Sequence, residues 1–133
     1  MKIFISYKFT GEPYQELVEN IGIIENQLAQ SAHFVYSSLQ DEKWVQENKP
    51  TNKDILHTIE KLGNSDVILV FLNSNEKSEG MLIEIGYAMA KQKKIVLLVR
   101  KDIETNYLRD IADTVIEFAD IKELQEGNIK IEI

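Results

Sequence analysis

The chain has 133 residues, a length that suits one domain, 1–133, with a proper core. A hydrophobic share of 44% and a charged share of 28% are those of a soluble globular protein, and a net charge of −7 makes bare nucleic acid and anionic membrane poor partners. With no cysteine and only His33 and His57 for imidazole, disulfides, thiolate metal sites and a cysteine nucleophile are excluded and a zinc site is disfavoured. Lys2–Ser6 reads as a short buried strand. Met1 to Tyr7 is too short for a signal segment and no apolar run approaches the ~20 residues that span a bilayer, so the expected compartment is the cytoplasm. Pro13 to Ser31 reads as a helix, with Leu17, Ile21, Ile24 and Leu28 at helical spacing. His33–Tyr36 is a second strand. Ser37 to Pro50 is polar apart from Leu39, Trp44 and Val45 and reads as a long loop, a kind of segment that is often functional. Thr51 is positioned to cap a helix running to about Leu62, with Ile55, Leu56, Ile59 and Leu62 inward and Gly63-Asn64 as its stop. Val67–Leu72 is a continuous apolar run, as a central parallel strand should be. Glu79 to Lys91 is a helix and Lys94–Val99 a fourth strand. A short helix is expected around Thr105–Ala112, a fifth strand at Thr114–Phe118, a helical turn or two at Asp120–Glu126, and a tail at Ile129–Ile133.

Strands interleaved with helices predict an α/β, flavodoxin-like (Rossmann-like) doubly wound sheet of five parallel strands in the order 2-1-3-4-5. Ligands of such sheets sit beyond the carboxyl ends of the strands, where strands 1 and 3 diverge. That selects Ser6 to Glu12, Ser37 to about Pro50, and Asn73 to Glu84. Within them Glu84 stands out, as the only charge in the run Gly80 to Ala90. Its helical neighbours Gly80, Met81, Tyr87 and Ala88 cannot neutralise it. A desolvated, unpaired carboxylate is costly, so such a group is either a nucleophile or acid/base, or it is held by a cation from elsewhere in the chain.

The stretches Ser65-Asp66-Val67-Ile68-Leu69-Val70, Ser78-Glu79-Gly80-Met81-Leu82-Ile83-Glu84-Ile85-Gly86-Tyr87-Ala88 and Lys94-Ile95-Val96-Leu97-Leu98 resemble the core of the nucleoside 2-deoxyribosyltransferase family, which includes the 2′-deoxynucleoside 5′-phosphate N-hydrolases. The resemblance is good over about 54 to 100, looser over the first strand and loop, and weak over 13–50 and after 105. It implies cleavage of an N-glycosidic bond without metal or cofactor. The glutamate matching Glu84 is the family nucleophile, and the chemistry suits it: a carboxylate stabilises and then captures an oxocarbenium-like centre. Transfer to another base or hydrolysis follows.

The resemblance also places Ser6, Tyr7, Lys8 and Gly11 against the substrate. Tyr7 is expected to hydrogen-bond Glu84, Lys8 to offer charge to a phosphate, and Gly11 to let backbone approach a ligand. Ser78 stands where transferases of free nucleosides tend to carry aspartate and the 5′-phosphate hydrolases serine. With the amides that follow it, Gly80 included, it is a candidate phosphate contact as well as a helix cap. Ser78 and Lys8 tilt the expectation toward the monophosphate. Thr58 departs from the family, which usually has an aspartate there; His57, Glu60 and Asp54 are near it but on other helical faces. Asp66, at the amino end of its strand, reads as a turn or cap residue, and Tyr87 as packing. Trp44 is a candidate to stack on a base, to anchor its loop or to meet a second subunit. The family's members are homo-oligomers with shared sites, so a homodimer or larger assembly is expected, with Trp44, Val45 and the outer apolar positions of the Glu84 helix at the contact. Two other readings stay open: a TIR-like NAD glycohydrolase or signalling domain, whose first strand Ile3-Phe4-Ile5-Ser6-Tyr7 also resembles, and a non-catalytic nucleotide-binding module.

Overall fold

A computed structural model describes residues 1–8, 11–37, 39 and 53–133. In chain order its elements are β1 (Lys2–Ser6), α1 (Tyr14–Gln30), β2 (Phe34–Ser37), α2 (Lys53–Gly63), β3 (Val67–Leu72), α3 (Glu79–Ala90), β4 (Lys94–Arg100), α4 (Leu108–Ile111), β5 (Thr114–Phe118) and α5 (Lys122–Gln125). The strands form one parallel sheet in the order β2-β1-β3-β4-β5, as the alternation of elements predicts. The long loop expected from Ser37 to Pro50, with Trp44 and Val45, and the Thr51 cap lie outside the described residues apart from Ser37, which ends β2, and Leu39, as do Phe9 and Thr10 of the first loop.

Side chains of adjacent strand residues point to opposite faces, and the core divides accordingly. Ile3, Ile5, Tyr7, Val67, Leu69, Phe71, Val96, Leu98 and Phe118 pack with α1 and α5. Phe4, Ile68, Val70, Leu72, Ile95, Leu97 and Val99 pack with Leu62 of α2 and with Met81, Ile85 and Ala88 of α3. All six residues of β3 are buried, which is why its sequence shows no alternation. Two aspartates lock neighbouring strands at their amino ends. Asp66 accepts from the Lys2 amide at 2.8 Å, and Asp113 accepts from the Ile95 amide at 2.8 Å. Asp66 is thus a structural residue, as its position before β3 implies.

The structure departs from the sequence reading at Leu56 and Gly63 and adds detail elsewhere. Leu56 is 67% exposed rather than inward. On α2 it sits about 100° from Ile55, at the margin of the stripe that Ile55, Ile59 and Leu62 form. Gly63 does not end α2 through a left-handed backbone; a Cβ there would come within 2.9 Å of the Tyr87 hydroxyl, which would have to shift to make room. The left-handed positions after α1 and α3 fall instead on Ala32 and Gln92, at φ 61° and 56°. The helix around 105–112 is a single turn. The Ile129–Ile133 tail is tied to α1 by Gln27, which donates to the Leu124 and Ile129 carbonyls (3.2 and 2.9 Å) and accepts from the Ile131 amide (2.6 Å). No helix among the described residues is long and apolar enough to cross a membrane.

Candidate active site

β1 and β3 end side by side, with Ser6 in register with Val70. Alternation along β1 turns Phe4 and Ser6 toward α3 and Ile5 and Tyr7 toward α1. On α3 the buried positions are Met81, Glu84, Ile85 and Ala88, so Glu84 occupies a place in the helical stripe where an apolar side chain belongs. It is 8% exposed, and the Ser6 hydroxyl, 1% exposed, donates to its Oε1 at 3.0 Å. A hydrogen bond to a carboxylate contributes about 1.5–3 kcal/mol and fixes its orientation. The sequence reading expects Tyr7 to hydrogen-bond Glu84; the structure adds the Ser6 hydroxyl, on the face of β1 that α3 covers. Tyr7 itself is 6% exposed and packs on the α1 side of the sheet.

Beside this pair, on the α1 side, a narrow cleft opens between α1 and the ends of β1 and β3. Its walls include Tyr7, Lys8, Glu12, Glu16, Asn73 and Glu76. Lys8 ties the loop after β1 to the loop after β3: its Nζ lies 2.9 Å from Glu76 and 3.6 Å from Glu12. The hydrogen bond that Lys8 donates to Glu76 raises the Lys8 pKa above its ordinary value and lowers that of Glu76. Gly11, at φ +82°, turns the chain so that Glu12 comes back beside Lys8. Ser6 and Glu84 do not line this cleft; they lie across the sheet from it.

Ser78 caps α3, its Oγ accepting from the Met81 amide at 3.2 Å. Gly80 lies in the first turn, where a Cβ would reach no closer than 4.0 Å to Ile55, so space alone does not call for glycine. The Thr58 hydroxyl donates to the Ile55 carbonyl within α2 at 2.9 Å, and His57 is on the exposed face of that helix. Tyr87 is half-buried against the α2–α3 core, consistent with packing. One residue that the sequence reading passed over is Arg100. It donates to the Asn73 carbonyl (2.6 Å) and side chain (3.3 Å) and pairs with Asp102, bracing the loop that leads to Ser78. Its signal was an arginine closing an otherwise apolar strand.

A sequence model described as nucleoside 2-deoxyribosyltransferase matches residues 12–124. No curated protein sequence matches the chain closely enough to count as a relative. Among solved structures, the CMP N-glycosidase BcmB of Clostridium botulinum superposes with a TM-score of 0.67 at 19% identity, covering 96% of this chain and 98% of that one. The 2-deoxyribosyltransferase of Bacillus psychrosaccharolyticus gives 0.67 at 17% identity, covering 100% of both chains. A conserved protein of Enterococcus faecalis V583 gives 0.63 at 18% identity, over 95% and 98%. These likenesses establish a shared fold.

Proposed function

The chain belongs to the nucleoside 2-deoxyribosyltransferase family, a family of enzymes that cleave or transfer at N-glycosidic bonds, and from that premise we propose that it cleaves the bond of a nucleoside or nucleotide with Glu84 as nucleophile. The observation that carries the reading is the buried carboxylate of Glu84, held by Ser6 where β1 and β3 diverge. Glu84 attacks the anomeric carbon, the base leaves with the bonding pair and takes up a proton, and a glycosyl ester forms. Water, or a second base, then attacks the same carbon and frees the carboxylate. A carboxylate supplies the electron pair, so the reaction needs no metal or cofactor. Burial keeps bulk water from screening the charge that develops. Tyr7 is assigned to catalysis beside Glu84, and Ser6, Lys8, Gly11, Ser78 and Gly80 to binding of the substrate.

The outer face of α3 supports an assembly. Leu82, Ile83 and Met89 are 50%, 52% and 48% exposed, Leu82 and Met89 on one stripe and Ile83 about 100° round the helix from Leu82. A second copy related by a two-fold axis would cover this apolar surface. Incubation with 2′-deoxynucleosides, their 5′-monophosphates and NAD, with released base or nicotinamide followed by chromatography, tests the chemistry. Base release that is lost in Glu84→Gln upholds it. Nicotinamide release alone moves the protein to NAD glycohydrolysis, and no release from any of the three leaves a binding module.

A further inference from the structure

We propose that Ser6 is a positioning residue for the second half of the reaction: its hydroxyl makes Glu84 a better leaving group when the sugar passes to water or to a second base. The inference rests on the reading of Glu84 as nucleophile. Ser6 closes β1 in register with Val70 of β3, so its hydroxyl is carried by the sheet rather than by a loop. It donates to Oε1 of Glu84 at 3.0 Å. The donor is 1% exposed and the acceptor 8%, so bulk water neither screens the bond nor stands in for it. Phe4, on the same face of β1, shares one apolar cluster with Met81 and Ile85 on the buried face of α3. That packing fixes strand and helix against each other, and with them donor and acceptor.

The charge on Glu84 changes twice in a turnover, and the strength of this hydrogen bond follows it. In the first step a carboxylate oxygen bonds to the anomeric carbon. The carbon–nitrogen bond breaks, and the base leaves with its electron pair and takes up a proton. Oε1 becomes the carbonyl oxygen of a neutral ester. A hydrogen bond to an ionised acceptor is roughly twice as strong as one to a neutral acceptor. Ser6 therefore holds the free carboxylate more firmly than the ester, and gives the first step orientation but no driving force. In the second step water or a second base bonds to the same carbon and loses a proton to solvent. The ester carbon–oxygen bond breaks, and its pair returns to Glu84. Charge grows on Oε1 as that bond breaks, and a donor already 3.0 Å away meets it without rearrangement. Ser6 keeps its own proton throughout. A full positive charge in its place would stabilise the resting carboxylate further and blunt its attack; a neutral hydroxyl assists the second step at the least cost to the first.

The test is rapid-quench kinetics on wild type, Ser6→Ala, Ser6→Thr and Glu84→Gln, with 2′-deoxynucleosides and their 5′-monophosphates as probes. Released base reads the first step, released sugar reads the second, and the intact mass of the quenched protein reads the ester. Ser6→Ala removes one oxygen and adds no bulk, so it should fold, and a thermal melt checks this. Its first step is expected within about threefold of wild type and its second about fivefold slower, the order set by the difference between a charge-assisted and a neutral hydrogen bond. Base then appears in a burst and the ester accumulates. Ser6→Thr keeps the hydroxyl and is expected to restore the second step. A second step in Ser6→Ala that is unaltered, or slowed no more than the first, overturns the role of Ser6 and leaves the nucleophile standing. A folded Ser6→Thr protein that stalls as Ser6→Ala does has the same consequence. No base release by wild type, or full turnover by Glu84→Gln with no ester in any protein, overturns the nucleophile and the role of Ser6 with it.

Discussion

Glu84→Gln separates catalysis from folding more cleanly than any other change in this protein. Glutamine keeps the shape and an oxygen that accepts from Ser6, now 3.0 Å from the carboxylate, but carries no charge and no nucleophilic electron pair. Weakening a charge-assisted hydrogen bond to a neutral one costs about 1 kcal/mol. Relieving the desolvation of a carboxylate that is 8% exposed offsets this, since the effective penalty for a buried ion is several kcal/mol before its partners repay it. The net change in stability should therefore lie within about 1–2 kcal/mol of zero, on the order of 5 °C in Tm for a domain of this size. Activity should behave otherwise. Loss of the nucleophile should lower kcat at least about 10³-fold, or about 4 kcal/mol of barrier at 1.36 kcal/mol per decade. The assay pairs a thermal melt with base release at saturating substrate. Turnover at the wild-type rate refutes the nucleophile. A loss of 3–5 kcal/mol of stability would instead identify Glu84 as one half of a buried ion pair.

Four further outcomes are expected. Ser78→Ala should cost about 1 kcal/mol as a lost N-cap and also lower kcat/KM, because the Oγ accepts from Met81 and keeps its proton for a substrate; wild-type kcat/KM well below the melting temperature would reduce Ser78 to a cap. Leu82→Glu with Met89→Glu, at exposed positions, should leave the melting temperature of the protomer nearly unchanged and lower the sedimentation coefficient of the proposed homo-oligomer at micromolar concentration; an unshifted coefficient removes α3 as the contact. Gln27→Ala deletes three hydrogen bonds, worth about 3 kcal/mol together at about 1 each, and should strip protection from the Ile131 amide in hydrogen exchange; retained protection would show that the tail holds by apolar packing alone. Glu123 accepts from the Asp120 and Ala119 amides, and these two bonds lower its pKa below the ordinary 4.5. Its contribution is present above that ordinary value and fades as pH falls through the lower folded value, so Glu123→Gln should flatten the acid limb of the stability curve, and an identical limb in both proteins would dismiss the effect.

The layers and order of this fold follow from sequence because burial leaves a periodic trace. β3 is buried on both faces and reads as an unbroken apolar run, while α1 shows its core stripe of Leu17, Ile21, Ile24 and Leu28. Right-handed crossovers then leave few strand orders open, and 2-1-3-4-5 is the one observed. Glu84 was legible for the same reason in reverse, as a charge at a position that periodicity gives to a hydrophobe. What sequence did not show depends on which atoms meet across long separations. Ser6 is 78 positions from Glu84, and only the phase of β1 against α3 decides that the Ser6 hydroxyl meets it. The pairing of Lys8 with Glu76 spans 68 positions and joins two loops whose approach is set by the sheet, so a lysine that reads as a free phosphate contact arrives already held by carboxylates. Gln27 and Arg100 escaped notice because a polar side chain on a helix face or strand end carries no periodic mark of the backbone it will brace. Local pattern determines which elements form and which face they bury; the register between elements, which only the folded chain supplies, determines which polar groups become partners.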